Sequence, residues 1–265
     1  MTEGIDRFHV GKRLRLFQDT TVELFTKTDG KGYYEEIMWN RPNGGGGSTL
    51  LFRNSNVFEK AGIDSFEIHG DITDSMNLVT TSAHDFFASG ITLSFHPHNP
   101  AIPTLIMHTT YLELTNGDHW LKAGFFLLPN SKTLNKEKYT RWFEDANALY
   151  KGLEFDASEC IVPHRNKNVT DFSLIIDQNL GQITLGQVWP AIETLLYQTR
   201  SAYQDLVIEL KASPIKREEK QIQKENRGLL AEYLLTADKD VSFRRATGCP
   251  TQMLDMILPP DAIWN

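Results

Sequence analysis

Cysteine is nearly absent: the 265 residues hold two, Cys160 and Cys249. They lie far apart and without metal-type spacing, so neither a disulfide framework nor a zinc knuckle organises this chain; free thiols in a reducing cytosol are expected. Positive charge is also short. A net charge of -7 argues against a general nucleic-acid or anionic-membrane surface, because both need clustered Lys and Arg. The densest charged run, Lys216 to Lys224, mixes both signs and reads as a solvated helical face. No apolar run approaches the roughly 20 residues of a membrane span, and the polar N-terminus lacks the apolar core of a signal peptide. A soluble, cytoplasmic protein is the expectation. Asn168-Val169-Thr170 fits the glycosylation pattern, which a cytosolic chain would ignore. Rossmann and P-loop fingerprints are missing. Ser48 has no His/Asp partner at hydrolase spacing, which excludes the usual nucleophilic triad. With no linker, repeat or low-complexity segment, residues 1–265 read as a single domain.

What is present suffices for a large core, with 40% hydrophobic and 11% aromatic residues. Residues 10–28 carry Leu14, Phe17, Val22, Leu24 and Phe25 among charges, predicting an amphipathic helix ended by Asp29-Gly30. Short alternating runs at 49–53, 66–69, 91–96, 104–114 and 120–128 predict strands joined through turns such as Asn116-Gly117. Tyr139, Trp142, Phe143, Ala146 and Tyr150 fall on one stripe of a helix over 135–151, and a strand fits 172–176. A further helix is predicted to begin at Pro190, a residue favoured at the first turn. It breaks at Ser213-Pro214, a charged helix follows, and strands are predicted at 229–236 and 253–257. A helix, many hairpin-linked strands and helices again give the α+β class.

The most distinctive stretch is Trp39-Asn-Arg-Pro-Asn-Gly-Gly-Gly-Gly-Ser48, followed by Val57 to Gly62 and then Ile68-His69-Gly70-Asp71. Gly44 to Gly47 are read as a loop whose backbone N–H groups can approach a ligand closely. The order of these blocks resembles the oxygen-dependent coproporphyrinogen III oxidase family. The resemblance continues through Phe95-His96-Pro97-His98-Asn99-Pro100 and Pro103-Thr104 and resumes at Leu258-Pro259-Pro260. It implies a broad antiparallel sheet flanked by helices on both sides, a homodimer, and oxidative decarboxylation of propionates by O2 without metal or organic cofactor. Glu67 and His69 match the family as supports of the sheet.

At the positions that carry chemistry in that family this chain differs. The family strand after Pro-Thr presents His, Asn and Arg at alternate positions, which share one sheet face; here they are Ile106, His108 and Thr110. A threonine cannot clamp a carboxylate in the bidentate manner of a guanidinium. The pocket aspartate of the next strand falls on Phe126. The family's C-terminal arginine and glutamate become Pro250 and Gln252, and another arginine has no counterpart near Val169 and Thr170, although Asp177 keeps the first aspartate of that strand. The Asp-Arg pair assigned to the pyrrole nitrogens corresponds to Asp238-Lys239, a carboxylate beside a cation that can serve as general base. The same Asp-Lys-Asp is also ordinary chemistry for a turn after the strand at 229–236.

These residues define the candidate site: Asp238, Lys239 and His108 for catalysis, and Arg41, Gly45, Gly46, His96, His98, Ile106, Thr110, Lys122 and Phe126 for substrate. A transition-metal site from His96, His98 and His108, with His119 near, is the alternative chemistry; hydrogen-bonded structural histidines are the plainer account. A four-propionate substrate wants a cation at each carboxylate. If each such contact is worth about 1.5–3 kcal/mol, the missing arginines weaken binding by orders of magnitude unless Arg41, Lys122, Arg244 or Arg245 replace them. The sequence therefore points to a diverged oxidase acting with O2 on a smaller or less anionic molecule. A binding protein that holds a tetrapyrrole or related ligand without turnover is the second reading, and a metal-dependent oxygenase the third.

Overall fold

The computed structural model describes residues 5–73, 83–130, 144, 148, 162–164, 167–169 and 172–264. Of the helix expected over 135–151, Glu144 and Ala148 are described and are helical, while its other residues and Cys160 lie outside the described ones. Helix α1, Arg7–Asp29, starts where Asp6 accepts from the backbone N–H groups of Phe8 and His9 at 3.0 Å each. It stops at Gly30, whose φ of 80° suits glycine and whose N–H returns to the Thr26 carbonyl. Val10, Leu14, Phe17, Thr21 and Phe25 form its buried stripe.

Strands β1 (Tyr33–Asn40), β2 (Gly45–Arg53), β3 (Phe58–Asp71), β4 (Asp85–Pro97), β5 (Thr104–Leu114), β6 (His119–Leu128) and β9 (Phe172–Asn179) form one antiparallel sheet in the order β1-β2-β3-β4-β5-β6-β9. Short β7 (Val162–His164) and β8 (Lys167–Val169) pair separately. The chain then forms helices α2 (Leu185–Leu210), α3 (Arg217–Thr236), α4 (Lys239–Ala246) and α5 (Thr251–Ile257). This is the α+β sheet expected, with helices on both sides.

Strand alternation divides the sheet residues between two helical layers. Leu50, Ile63, Leu93, Phe95 and Met107 join α1 and α2 in one continuous apolar cluster. Its centre is aromatic: Phe95 lies 4.5 Å from Phe25, 5.1 Å from Phe58 and 5.7 Å from Tyr203, measured between ring centroids. The other face meets α3, α4 and α5 through two smaller clusters, one around Leu51, Ile106 and Phe126, the other around Trp39, Phe66 and Ile68.

Four expectations are corrected. Residues 229–236 and 253–257 are helical. Leu230, Ala231 and Leu234, and likewise Met253, Met256 and Ile257, are buried at i, i+3 or i+4 spacing, and a short apolar run does not by itself distinguish helix from strand. The helix assigned to Pro190 begins at Leu185, behind a Thr184–Gln187 capping box, so Pro190 lies inside it. Gly45 to Gly47 belong to β2 rather than to a loop, with Gly46 opposite Asn40 and Gly47 opposite Trp39. A Cβ on Gly45 would strike the Glu67 carbonyl, and one on Gly47 the Ser65 carbonyl, so these glycines serve close backbone packing.

Candidate functional site

Strand β5 places Ile106, His108 and Thr110 on one face, as their alternate spacing predicts. That face looks towards the α3–α5 layer. His108 pairs in register with Thr92 on β4 and Gly124 on β6, and Thr110 with Gly90 and Lys122. All three β5 residues are buried. The surface above them comes from α4, whose presence follows from local chemistry. Asp238 caps it, accepting from the Val241 N–H at 2.8 Å, and Arg244 and Arg245 sit in its last turn. Both ends thus complement the helix dipole. Asp238 is buried at this cap, Lys239 is the exposed first helical residue, and the expected turn after a strand is a helix start after α3.

Asp240 and Arg244, four residues apart, are both buried and both reach the sheet. Arg244 forms an ion pair with Asp64 on β3, donates to Thr92 Oγ1 at 3.0 Å and lies over the Phe66 ring at 4.5 Å. Asp64 also accepts from Trp39 Nε1 at 3.1 Å and from Thr49. Burial opposes the charge on Arg244, but the neighbouring carboxylates outweigh it and hold the guanidinium above its ordinary range. Asp240 accepts from Thr110 Oγ1 at 2.8 Å. Burial alone would raise its carboxyl; Lys122, His108, Arg244 and the Thr110 hydroxyl together bring it below the ordinary value, so it is ionised at neutrality. A belt of buried charge therefore crosses this face between the two apolar clusters.

The remaining expected residues separate into distinct jobs. Ile106 and Phe126 belong to the apolar cluster under α3 and α5, with Phe126 edge-on to Tyr233 at 6.0 Å. Arg41 is buried and donates to the carbonyls of Thr247 and His69, with longer contacts to Asn43 and Gly44. It clamps the β1–β2 turn to the end of α4. Among the described residues, then, the buried guanidiniums of Arg41 and Arg244 already have protein partners. Arg245 is exposed.

The histidines named as the alternative metal set meet different partners. His96 is fully buried, and its Nε2 meets Ser94 Oγ at 2.9 Å and the Ile257 carbonyl at 3.0 Å. A carbonyl only accepts, so Nε2 carries the proton. Burial, with Arg227 and Lys60 nearby, depresses its pKa to about 3 against the opposing pull of the Ile257 carbonyl. His98 stands beyond the end of β4, 3.5 Å from Glu59. His119 Nε2 lies 3.2 Å from the Ile183 carbonyl. No group of three His, Cys, Asp or Glu among the described residues is arranged to hold a metal ion.

Two residues of the charged belt escaped the sequence reading, Asp64 and Asp240. The second was legible in principle. Reading 238–246 as a helix, with an acidic cap and a basic last turn, would have put Asp240 and Arg244 on one inward stripe. A groove of about 370 Å³ lies where β3 and β5 end and β4 begins, bordered by Arg7, Phe8, Glu67, His69 and Asp85. Glu67 and His69 thus stand away from the charged belt.

A family model described as coproporphyrinogen III oxidase matches residues 9–265. The chain belongs to the coproporphyrinogen III oxidase family, whose members are oxidoreductase-like proteins that process small molecules of tetrapyrrole type. No helix among the described residues is long and apolar enough to cross a membrane.

Proposed function

We propose that the protein is an O2-dependent oxidase, or oxidative decarboxylase, of a substrate that is smaller or less anionic than coproporphyrinogen III. The observation that carries this reading is the commitment of buried cations. Arg244 is matched by Asp64 and Arg41 by backbone carbonyls, while Ile106 and Phe126 offer only apolar surface. A ligand with four carboxylates finds no unspent buried guanidinium among the described residues of this face, and a carboxylate buried without a charge-assisted partner is costly.

The reaction retained would be R–CH2–CH2–COO⁻ + O2 + H⁺ → R–CH=CH2 + CO2 + H2O2. The two electrons from the β C–H bond and the departing carboxylate reduce O2 to peroxide. In this reading Asp238 is the general base at the mouth of α4, Lys239 supplies the neighbouring positive charge, and His108 lies on the sheet floor as a proton carrier. No metal or organic cofactor is required. The family likeness further suggests a cytoplasmic homodimer.

The change of residue type at Ile106, Thr110 and Phe126 supports a second reading, in which the protein holds a tetrapyrrole or related ligand without turnover. Anaerobically prepared coproporphyrinogen III, with four propionates, and mesoporphyrinogen IX, with two, are mixed with the protein and admitted to air. We expect O2 uptake and CO2 release above the uncatalysed background only with the two-carboxylate compound. Asp238→Asn should abolish this by a factor of about 10²–10⁴ while binding persists. Turnover of coproporphyrinogen III at about 1 s⁻¹ or faster would overturn the altered-substrate reading. Binding without turnover of either compound would establish the second.

A further inference from the structure

Asp240, on the sheet-facing side of α4, is a buried carboxylate with capacity to spare. Arg244 is paired with Asp64, and Trp39, Thr49 and Thr92 add hydrogen bonds to the two. Asp240 is 3% exposed, yet it accepts a single hydrogen bond among the described residues, from Thr110. A carboxylate has about four lone-pair sites across two oxygens, and buried carboxylates ordinarily fill most of them. Lys122, His108 and Arg244 place positive charge around Asp240. Lys122, opposite Thr110, is partly exposed. Gly124, opposite His108, adds no side chain there.

We propose that Asp240 is a specificity-determining residue of the candidate site. Its second oxygen receives an N–H donor or cationic nitrogen from the substrate and repels a carboxylate from the Thr110 quarter. The inference rests on the functional reading above and sharpens its substrate class. The molecule presents nitrogen donors, rather than an acid, to β5 and α4. The position is fixed from both sides, by Thr110 from the sheet and by the Arg244–Asp64 pair one helical turn along. A buried fixed charge discriminates strongly because in this environment it is screened little by solvent.

Dissociation constants are measured anaerobically, by fluorescence titration, for coproporphyrinogen III and mesoporphyrinogen IX. The reading is the ratio of the two constants. Asp240→Asn keeps size and the Thr110 contact while removing the charge. We expect it to tighten coproporphyrinogen III at least tenfold relative to mesoporphyrinogen IX. Asp240→Ser, smaller and also uncharged, should move the ratio at least threefold in the same direction. A merely structural Asp240 would weaken both ligands together and leave the ratio fixed in both variants, and that result would overturn the proposal. Should Asp240→Asn fail to fold, the Asp240→Ser ratio decides alone. A wild-type protein that prefers coproporphyrinogen III defeats the functional reading. The shifts in the two variants still decide separately whether Asp240 selects charge.

Discussion

The two faces of the sheet reach burial by different chemistry. The α1–α2 face is one unbroken apolar cluster organised around Phe25, Phe95 and Tyr203. The α3–α5 face is cut in two by the belt of Asp64, Arg244, Thr92, Thr110 and Asp240. Hydrophobic contact is non-directional and sums over area, so the first face could be repacked in many ways. The charged belt admits far fewer arrangements, because each buried charge demands a partner at hydrogen-bond distance. Fold stability is concentrated on one face and positional definition on the other, and the candidate site lies on the second.

The largest expected effect tests that contrast directly. Phe95→Ala should cost about 3–5 kcal/mol, as for other buried aromatics, with no single second substitution restoring it. Arg244→Met should cost about 3–5 kcal/mol as well, but for a different reason: it leaves Asp64 buried and uncompensated. Adding Asp64→Leu to Arg244→Met should then recover much of the loss. Urea unfolding of the four variants (the two singles, Asp64→Leu and the double) measures this. If the Asp64 and Arg244 losses simply add, the pair is not the coupled unit that holds α4.

A second expectation concerns His96, at the end of β4 on the charged face. Its folded pKa of about 3 lies below the ordinary 6.5 because the ring is buried and already donates to the Ile257 carbonyl. Between these values the unfolded chain binds a proton that the folded chain does not. Stability therefore rises with pH in this window and falls on acidification, by about 1.4 kcal/mol per pH unit from this group. The shifted carboxyls of Asp29, Glu59 and Asp261 have ordinary values of 3.8 to 4.5 and are depressed further in the fold. The interval from pH 6.5 to 5 thus isolates the histidine contribution. His96→Gln can still donate to the carbonyl and should flatten the slope there. An unchanged slope in that variant would show that His96 is protonated in the fold.

The contrast between faces also explains what the sequence made legible. The α1 stripe and β2 to β6 announced themselves because apolar periodicity records burial against a uniform partner. Pairing of β3 with β4 then extended both strands well beyond the expected runs at 66–69 and 91–96, back to Phe58 in β3 and to Asp85 in β4. The α3–α5 layer was the misread part. Leu229-Leu230-Ala231 and Met253 to Ile257 are short apolar runs that fit either period, and only packing against Leu51, Ile106 and Phe126 resolves them. The candidate site was legible as a face, since Ile106, His108 and Thr110 do lie together. Its charge balance was not. Asp64 and Arg244 are 180 residues apart, and nothing in either segment names the other. The glycine run was conspicuous for the same reason that it misled, because close backbone packing and ligand approach ask for the same residue.

The smallest expected effect is the most useful for separating structure from chemistry at the mouth of α4. Asp238 accepts from the Val241 N–H and begins the helix that carries Asp240 and Arg244. Asp238→Ala removes the cap and should cost roughly 0.5–2 kcal/mol, whereas asparagine caps as well as aspartate and should cost only a few tenths. Thermal unfolding of both variants, read at pH 7 where His96 is neutral in folded and most unfolded chains, gives the difference without interference from the acid transition. The asparagine variant then becomes a folded protein with its cap intact and its carboxylate gone. Any loss of turnover in it reports the missing base rather than a frayed helix. An Asp238→Asn protein that unfolds as readily as Asp238→Ala would mean that the negative charge itself holds α4 in place. The base role would then have to be tested at constant stability, by comparing the two variants at a temperature well below both transitions.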